Sequence, residues 1–99
     1  MMMNVALTND EFKTITKITS RPQIVIYIAL LDRANRDTNW DWHVNVGYID
    51  FLLKETPFSK GTITESLQHL AWDGHIEKTG DPMIPFPDCP ILITSRKQQ

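Results

Sequence analysis

The stretch PFSKGTITESLQHLAWDGHIEKTG, residues 57–80, decides the fold that this sequence predicts. Pro57 disfavours helix in the residue before it, so a turn is expected here, and Ser59 is a favoured helix N-cap. Apolar residues then recur at helical spacing: Ile63, Leu67 and Leu70. This spacing predicts a helix over 59–73 that buries one face, and Gly74 suits the C′ position after it.

Capping signals place a first helix near the start of the chain. Thr8 and Glu11 match the T-x-x-E capping box, and Leu7 is predicted to staple onto Phe12. Three residues form the predicted apolar face: Phe12, Ile15 and Ile18. The helix is expected to end near Thr19.

A second helix is predicted to follow at once. Ser20 is its expected N-cap, Gln23 completes a capping box, and Pro22 is tolerated in the first turn. Residues 24–31 are apolar almost all round, which predicts a central helix that packs on several sides. The polar cluster at 33–39 is expected to end it.

A strand and a third helix come next. Apolar and polar residues alternate over 40–46, which is typical of a half-buried strand, and Trp40 and Trp42 fall on the side expected to face the core. Gly47 ends this strand, and 48–55 is predicted to be a helix. Its expected apolar face contains Ile49, Leu52 and Leu53, with Phe51 beside it.

After Gly74 the sequence predicts strands over 75–79 and 91–95, separated by a loop, 80–90, that contains four prolines. No repeat or linker divides the 99 residues, so we expect one domain. Its predicted class is mainly α with a small β-hairpin (α+β). Residues 1–19 would be an N-terminal helical extension, and 20–96 the core.

Residues 59–76 match the pattern S-x-x-T-I-x-x-x-L-x-x-L-x-x-x-G-x-I. With the elements before it, this pattern resembles the winged helix-turn-helix superfamily over 20–96. The run YIALLDRAN (27–35), followed by a tryptophan-containing strand and VNVG, is also similar to N-terminal domains of phage and plasmid replication proteins, such as replisome organisers and DnaD-like primosome components. The resemblance implies that 59–73 is a recognition helix and that 80–90 is the wing.

The resemblance implies binding of double-stranded DNA in transcription regulation or replication initiation, with the recognition helix in the major groove. The residues it places against DNA are Ser59, Lys60, Gly61, Thr62, Thr64, Glu65, Gln68 and Lys78. A glutamine can form two hydrogen bonds with adenine, and a glutamate can accept a hydrogen bond from cytosine. A threonine can form a hydrogen bond with a base or contact the thymine methyl. Phosphate contacts are expected from Ser59 and Lys60. Candidate further backbone contacts are Arg21, Arg33, Arg36, Arg96 and Lys97. For the arginines of the second helix, a solvated face is the other interpretation.

Charge argues for a second hypothesis. The net charge is −2, and residues 57–99 carry four basic against five acidic residues. The predicted wing offers Asp81 and Asp88 and no basic residue. The chain could therefore be a winged-helix module that binds a protein partner or a second copy, with Trp72 and Phe86 as the candidate contacts.

Glu65 has two interpretations of its own. It could contact cytosine, or it could complete a T-x-x-E capping box with Thr62 at the start of the helix. In the second case its side chain would stabilise the start of the helix and would not contact a base.

The sequence predicts no enzyme, cofactor or metal site. His43, His69 and His75 lack further ligands at suitable spacing, and no phosphate-binding or hydrolase motif is found. Cys89 has no basic neighbour that would activate it. No apolar run approaches the roughly 20 residues that span a bilayer. With no secretory signal visible, we expect a cytoplasmic protein that does not bind membranes.

Overall fold

The computed structural model describes residues 7–37, 43–44 and 47–96, with the backbone alone at 35–37, 43 and 96. The predictions for Trp40, Trp42 and Lys97, and for the side chains of His43, Arg36 and Arg96, therefore lie outside the described part. The elements in chain order are α1 (Asn9–Lys17), α2 (Arg21–Asp37), β1 (His43–Val44), α3 (Tyr48–Glu55), α4 (Lys60–Trp72), β2 (Ile76–Lys78), β3 (Ile91–Ile93) and a 3₁₀ turn (Thr94–Arg96). The fold is mainly helical with a small antiparallel sheet, which confirms the α+β class.

The sheet has the strand order β1-β3-β2, so the last strand of the chain lies in the middle. Val44 pairs with Ile91 on one side of β3, and Ile76 pairs with Ile93 on the other. All three residues of β3 are buried. The sheet therefore closes one side of the core through its central strand.

The core lies between α2, α4 and the sheet. Its largest fully buried side chains are Tyr27, Tyr48, Ile26, Leu30, Leu31, Leu52, Ile63, Leu67, Leu70, Ile76, Ile91 and Ile93. As expected for a central helix, α2 contributes more of them than α1 or α3. Burial of such side chains, at roughly 1.5–3 kcal/mol each, is the main stabilising term.

Helix ends follow the predicted signals closely. The Thr8–Glu11 capping box is present, with Glu11 N–H donating to Thr8 Oγ1 at 3.1 Å and Thr8 N–H donating to Glu11 Oε1 at 3.0 Å. Gly47 and Gly74 have φ of +94° and +81°, in the left-handed region that glycine adopts without strain. These residues fix where α1 and α3 begin and where α4 ends.

The predicted inner face of α1 is wrong at Phe12, which is 63% exposed, while Glu11 beside it is fully buried. Ile15 and Ile18 follow Glu11 by four and seven residues and pack with it toward the core, whereas Phe12 is rotated by about 100°. The Ser95 hydroxyl donates to Glu11 Oε2 and lies 3.3 Å from the Tyr27 hydroxyl. These bonds tie α1 to the 3₁₀ turn.

Two other expectations fail. Leu53, predicted to face the core, is 42% exposed, because α3 turns Tyr48 and Leu52 inward instead. The last strand ends at Ile93 rather than at Ser95, since Thr94–Arg96 form the 3₁₀ turn.

Candidate functional site

The polar outer face of α4 is the strongest candidate site. Ile63, Ser66, Leu67 and Leu70 are buried on the inner side of the helix. At about 100° per residue, the residues opposite them are Gly61, Thr64, Glu65, Gln68 and Trp72, all exposed or half-exposed. Half of the eight residues predicted to meet DNA thus lie together along one side of α4.

The start of α4 is held by Ser59. Its Oγ accepts from Thr62 N–H at 3.3 Å and lies 3.2 Å from Thr62 Oγ1. Lys60, the first helical residue, is exposed, and its ammonium makes no hydrogen bond or ion pair with the described residues. This end of the helix therefore presents one positive charge beside backbone N–H groups that favour anions.

The interpretation of Thr62 and Glu65 as a capping box is wrong. Since α4 begins at Lys60, Thr62 is already its third residue, and Ser59 is the cap. Glu65 instead points along the helix toward His69, with Oε1 3.8 Å from Nε2 and exposed side-chain fractions of 76% and 43%. An exposed pair at this distance contributes little stability.

The Thr64 hydroxyl is engaged within the helix. Thr64 Oγ1 donates to the Lys60 carbonyl at 2.9 Å, a bond that threonine often makes four residues back. The sequence predicts a free hydroxyl here, and the only signal for this bond is the general tendency of helical threonines to form it. Gln68, one turn further on, is exposed and makes no side-chain hydrogen bond within the described part of the chain.

The loop between β2 and β3 is stabilised by local hydrogen bonds. Lys78 Nζ donates to the Pro82 carbonyl at 2.9 Å, and Met83 N–H donates to Asp81 Oδ1 at 2.9 Å. Lys78, the last residue of β2, is exposed, and its bond to Pro82 holds its charge at the loop.

Phe86, a candidate partner contact, is less exposed than its loop neighbours Met83 and Ile84, and whether it contacts a partner stays a prediction. It is half-buried and packs against the core, because the chain folds inward there toward buried Pro87 and Cys89. Met83 and Ile84, at 84% and 38% exposed, form the apolar part of the loop surface instead.

Trp72 is 74% exposed at the end of α4, as predicted. Its ring meets His69 edge to face, with centroids 5.1 Å apart. Glu65, His69 and Trp72 therefore follow one another along the outer side of the helix. Whether Trp72 contacts a partner stays a prediction.

Among the candidate backbone contacts, the side chains of Arg21 and Arg33 are described. Arg21 is exposed, whereas the Arg33 guanidinium stacks on Phe51, 5.3 Å from the ring centroid. That pair lines an open cleft of about 380 Å³. Its remaining lining residues are Gly47, Asp50, Lys54 and Glu55, so acidic and basic groups balance.

Cys89 and Tyr48 form a buried pair below the β2–β3 loop. Burial raises the pKa of the Cys89 thiol, and burial together with the neighbouring thiol raises the pKa of Tyr48. Both groups are therefore neutral at physiological pH, the opposite of an activated nucleophile. Across residues 7–37, 43–44 and 47–96, no three His, Cys, Asp or Glu side chains are placed to hold a metal ion.

No helix in the described part of the chain has the length and apolar character needed to cross a membrane. Comparison of the chain with protein-family models, curated proteins and solved structures gave no match. The candidate site therefore rests on its own geometry.

Proposed function

We propose that this chain is a winged helix-turn-helix protein that binds double-stranded DNA, with α4 in the major groove. Two topological features support that fold. The elements from α2 onward run helix, strand, helix, helix, strand, strand, and the sheet order is β1-β3-β2. Under this proposal α3 and α4 form the helix-turn-helix, and the β2–β3 loop is the wing.

The observation that carries the proposal is the division of α4 into a buried apolar side and an exposed polar side. Between Lys60 and Gln68 the outer side carries no large apolar side chain, and Trp72 lies beyond this stretch at the end of the helix. Gly61 has open space where a Cβ would lie, its nearest neighbour being Ser59 Oγ at 4.0 Å. A helix of this shape can bring its backbone close to the floor of a groove.

The charges fit a modest phosphate contact. Lys60 at the helix start and Lys78 beside the loop would flank the helix, and helix N-termini themselves favour phosphate. Affinity is expected to depend strongly on salt, with a slope of log affinity against log salt of roughly −0.9 per phosphate contact. A role in transcription regulation or replication initiation fits such a module, and two copies would give the contact area that one lacks.

A titration of labelled duplex DNA at about 50 mM salt, followed by fluorescence anisotropy, tests the proposal. Lys60→Ala is expected to weaken binding to every duplex and to reduce the salt slope by about one. Lys13→Ala on α1 removes the same charge from another exposed helix and serves as the matched control. Absence of binding to a random-sequence duplex pool at this salt would exclude the function.

One observation favours a second function, a protein-binding surface. Trp72 and Met83 are 74% and 84% exposed, and exposed tryptophan is frequent at partner contacts. A dimer that forms through these residues would be seen by light scattering after size exclusion. Trp72→Ala is then expected to yield monomers, whereas an unchanged mass would reject that surface.

A further inference from the structure

We propose that α4 selects a short A·T core, in which Gln68 reads adenine and the Thr64 methyl meets the methyl of a nearby thymine. This inference rests on the DNA-binding function proposed above. It follows from which groups on the outer side of α4 are still available and which are already engaged.

Beyond its first residue, α4 carries none of the side chains that usually bind guanine. In the major groove guanine offers two acceptors, N7 and O6, which arginine or lysine usually binds. Lys60 begins α4 and is assigned above to a phosphate contact, and residues 61–72 contain neither arginine nor lysine. The Thr64 proton could have served as a donor, but it is already bonded to the Lys60 carbonyl at 2.9 Å.

The same bond determines what Thr64 presents. Because the Oγ1 proton is bonded to the helix backbone, Thr64 keeps its methyl and the accepting lone pairs of Oγ1 for a partner, and only thymine carries a methyl on its major-groove edge. Gln68 retains a free donor and a free acceptor, the pair that matches adenine N7 and N6. The Thr64 methyl and the Gln68 amide therefore both favour A·T pairs.

The spacing of these residues suits adjacent bases. Thr64 and Gln68 are one turn apart, about 6 Å along the axis and about 40° around it. Base pairs rise by about 3.4 Å, so the two side chains reach positions one or two steps apart. Gly61, one turn earlier on the same side, adds no side chain that would hold the helix away from the groove.

Glu65 is the rival to this inference, because a carboxylate can accept from cytosine N4. Its Oε1 lies 3.8 Å from His69 Nε2, an exposed contact that leaves the carboxylate accessible to a base. Recognition of an A·T core does not require a base contact from Glu65. The identity of the selected bases therefore separates the two interpretations.

The test is a selection from a random-sequence duplex pool with the full chain at low salt, followed by titrations of the enriched site. We expect an enriched core with adenine one or two steps from thymine. Gln68→Ala is expected to lose roughly 5- to 150-fold in preference for that adenine. Thr64→Ser keeps the hydroxyl and removes the methyl, and is expected to weaken binding about fourfold.

Three controls isolate the methyl contact. Thr64→Val keeps a methyl without the hydroxyl and is expected to bind like the unmodified chain. Deoxyuridine in place of thymidine removes the methyl from the DNA, and should abolish the difference between Thr64→Ser and the unmodified chain. Thr14 makes the same kind of backbone bond on α1, to the Asp10 carbonyl at 3.0 Å, so Thr14→Ser should leave binding unchanged.

The outcomes are distinct. An enriched core of guanine or cytosine, or a cytosine preference that Glu65→Gln removes, overturns the A·T assignment while DNA binding stands. A core of adenine and thymine that does not respond to Gln68→Ala and Thr64→Ser also overturns it. Failure to bind any duplex removes both the inference and the proposed function.

Discussion

Replacement of Glu11 by alanine should destabilise the protein more than any other single change on α1. The Glu11 carboxyl is fully buried and accepts from Thr8 N–H at 3.0 Å. It also accepts from the Ser95 hydroxyl, which links α1 to the 3₁₀ turn. The substitution removes both bonds and leaves an empty space.

The expected loss follows from these contacts. Thr8 and Ser95 are exposed, so water can reach their donor groups after the change. Each lost hydrogen bond therefore costs about 1 kcal/mol, less than the penalty for a buried polar group that is left without a partner. The space left by the side chain adds about 1 kcal/mol more. A total of about 3 kcal/mol would lower the melting temperature of a domain this size by roughly 12–24 °C.

Thermal and urea unfolding followed by circular dichroism would measure this loss. Asp10→Ala is the matched control, because Asp10 is an exposed acidic residue in the same first turn. A double-mutant cycle of Glu11→Ala with Ser95→Ala should give a coupling of at least about 0.5 kcal/mol. A loss for Glu11→Ala no larger than that for Asp10→Ala, or a cycle without coupling, would show that the Glu11 carboxyl does not link α1 to the 3₁₀ turn.

Three further predictions concern stability. Ser59→Ala should lower the free energy of unfolding by about 1 kcal/mol, because it removes the N-cap of α4. Glu65→Ala should lower it by less than about 0.5 kcal/mol. Equal losses for the two variants in urea titrations would contradict the assignment of Ser59 as the cap. Gly74→Ala should lower the free energy of unfolding by about 1–2 kcal/mol, because Gly74 has φ +81°. In the same assay Gly61→Ala, inside α4, should leave that free energy unchanged or raise it. A Gly74→Ala variant as stable as the unmodified chain would argue against the left-handed turn. Because burial raises the pKa of Cys89, the unfolded chain loses this thiol proton first as pH rises, so the free energy of unfolding should fall above about pH 8.5. That fall should be shallower in Cys89→Ala, and identical pH profiles would reject the contribution of the thiol.

Local chemistry made most of the helices predictable. Thr8, Ser59 and Gly74 act through bonds or dihedral angles within a few residues, and the structure places the ends of α1 and α4 beside them. Phe12 and Leu53 were misassigned for a different reason. Periodicity identifies apolar residues on a helix, but the partner that a helix packs against decides which side is buried.

The candidate site divides in the same way. The exposed side of α4 followed from the spacing of Ile63, Leu67 and Leu70. The bond of Thr64 and the pairing of Glu65 with His69 depend on side-chain rotamers, which spacing does not specify. The inward position of Phe86 depends on how the proline-rich loop folds back on the core, a contact with no local signature.

The middle position of β3 has a consequence for how the molecule acquires its structure. β1 and β2 each pair with β3 and not with one another, and β3 comes last of the three in the chain. As a ribosome makes this protein, the helices can form early, but both outer strands lack their partner until residues 91–93 leave the exit tunnel. A nascent chain that stalls before Ile91 would expose two unpaired strand edges, which are templates for aggregation. Completion of the sheet thus depends on β3, the last of its three strands to be synthesised.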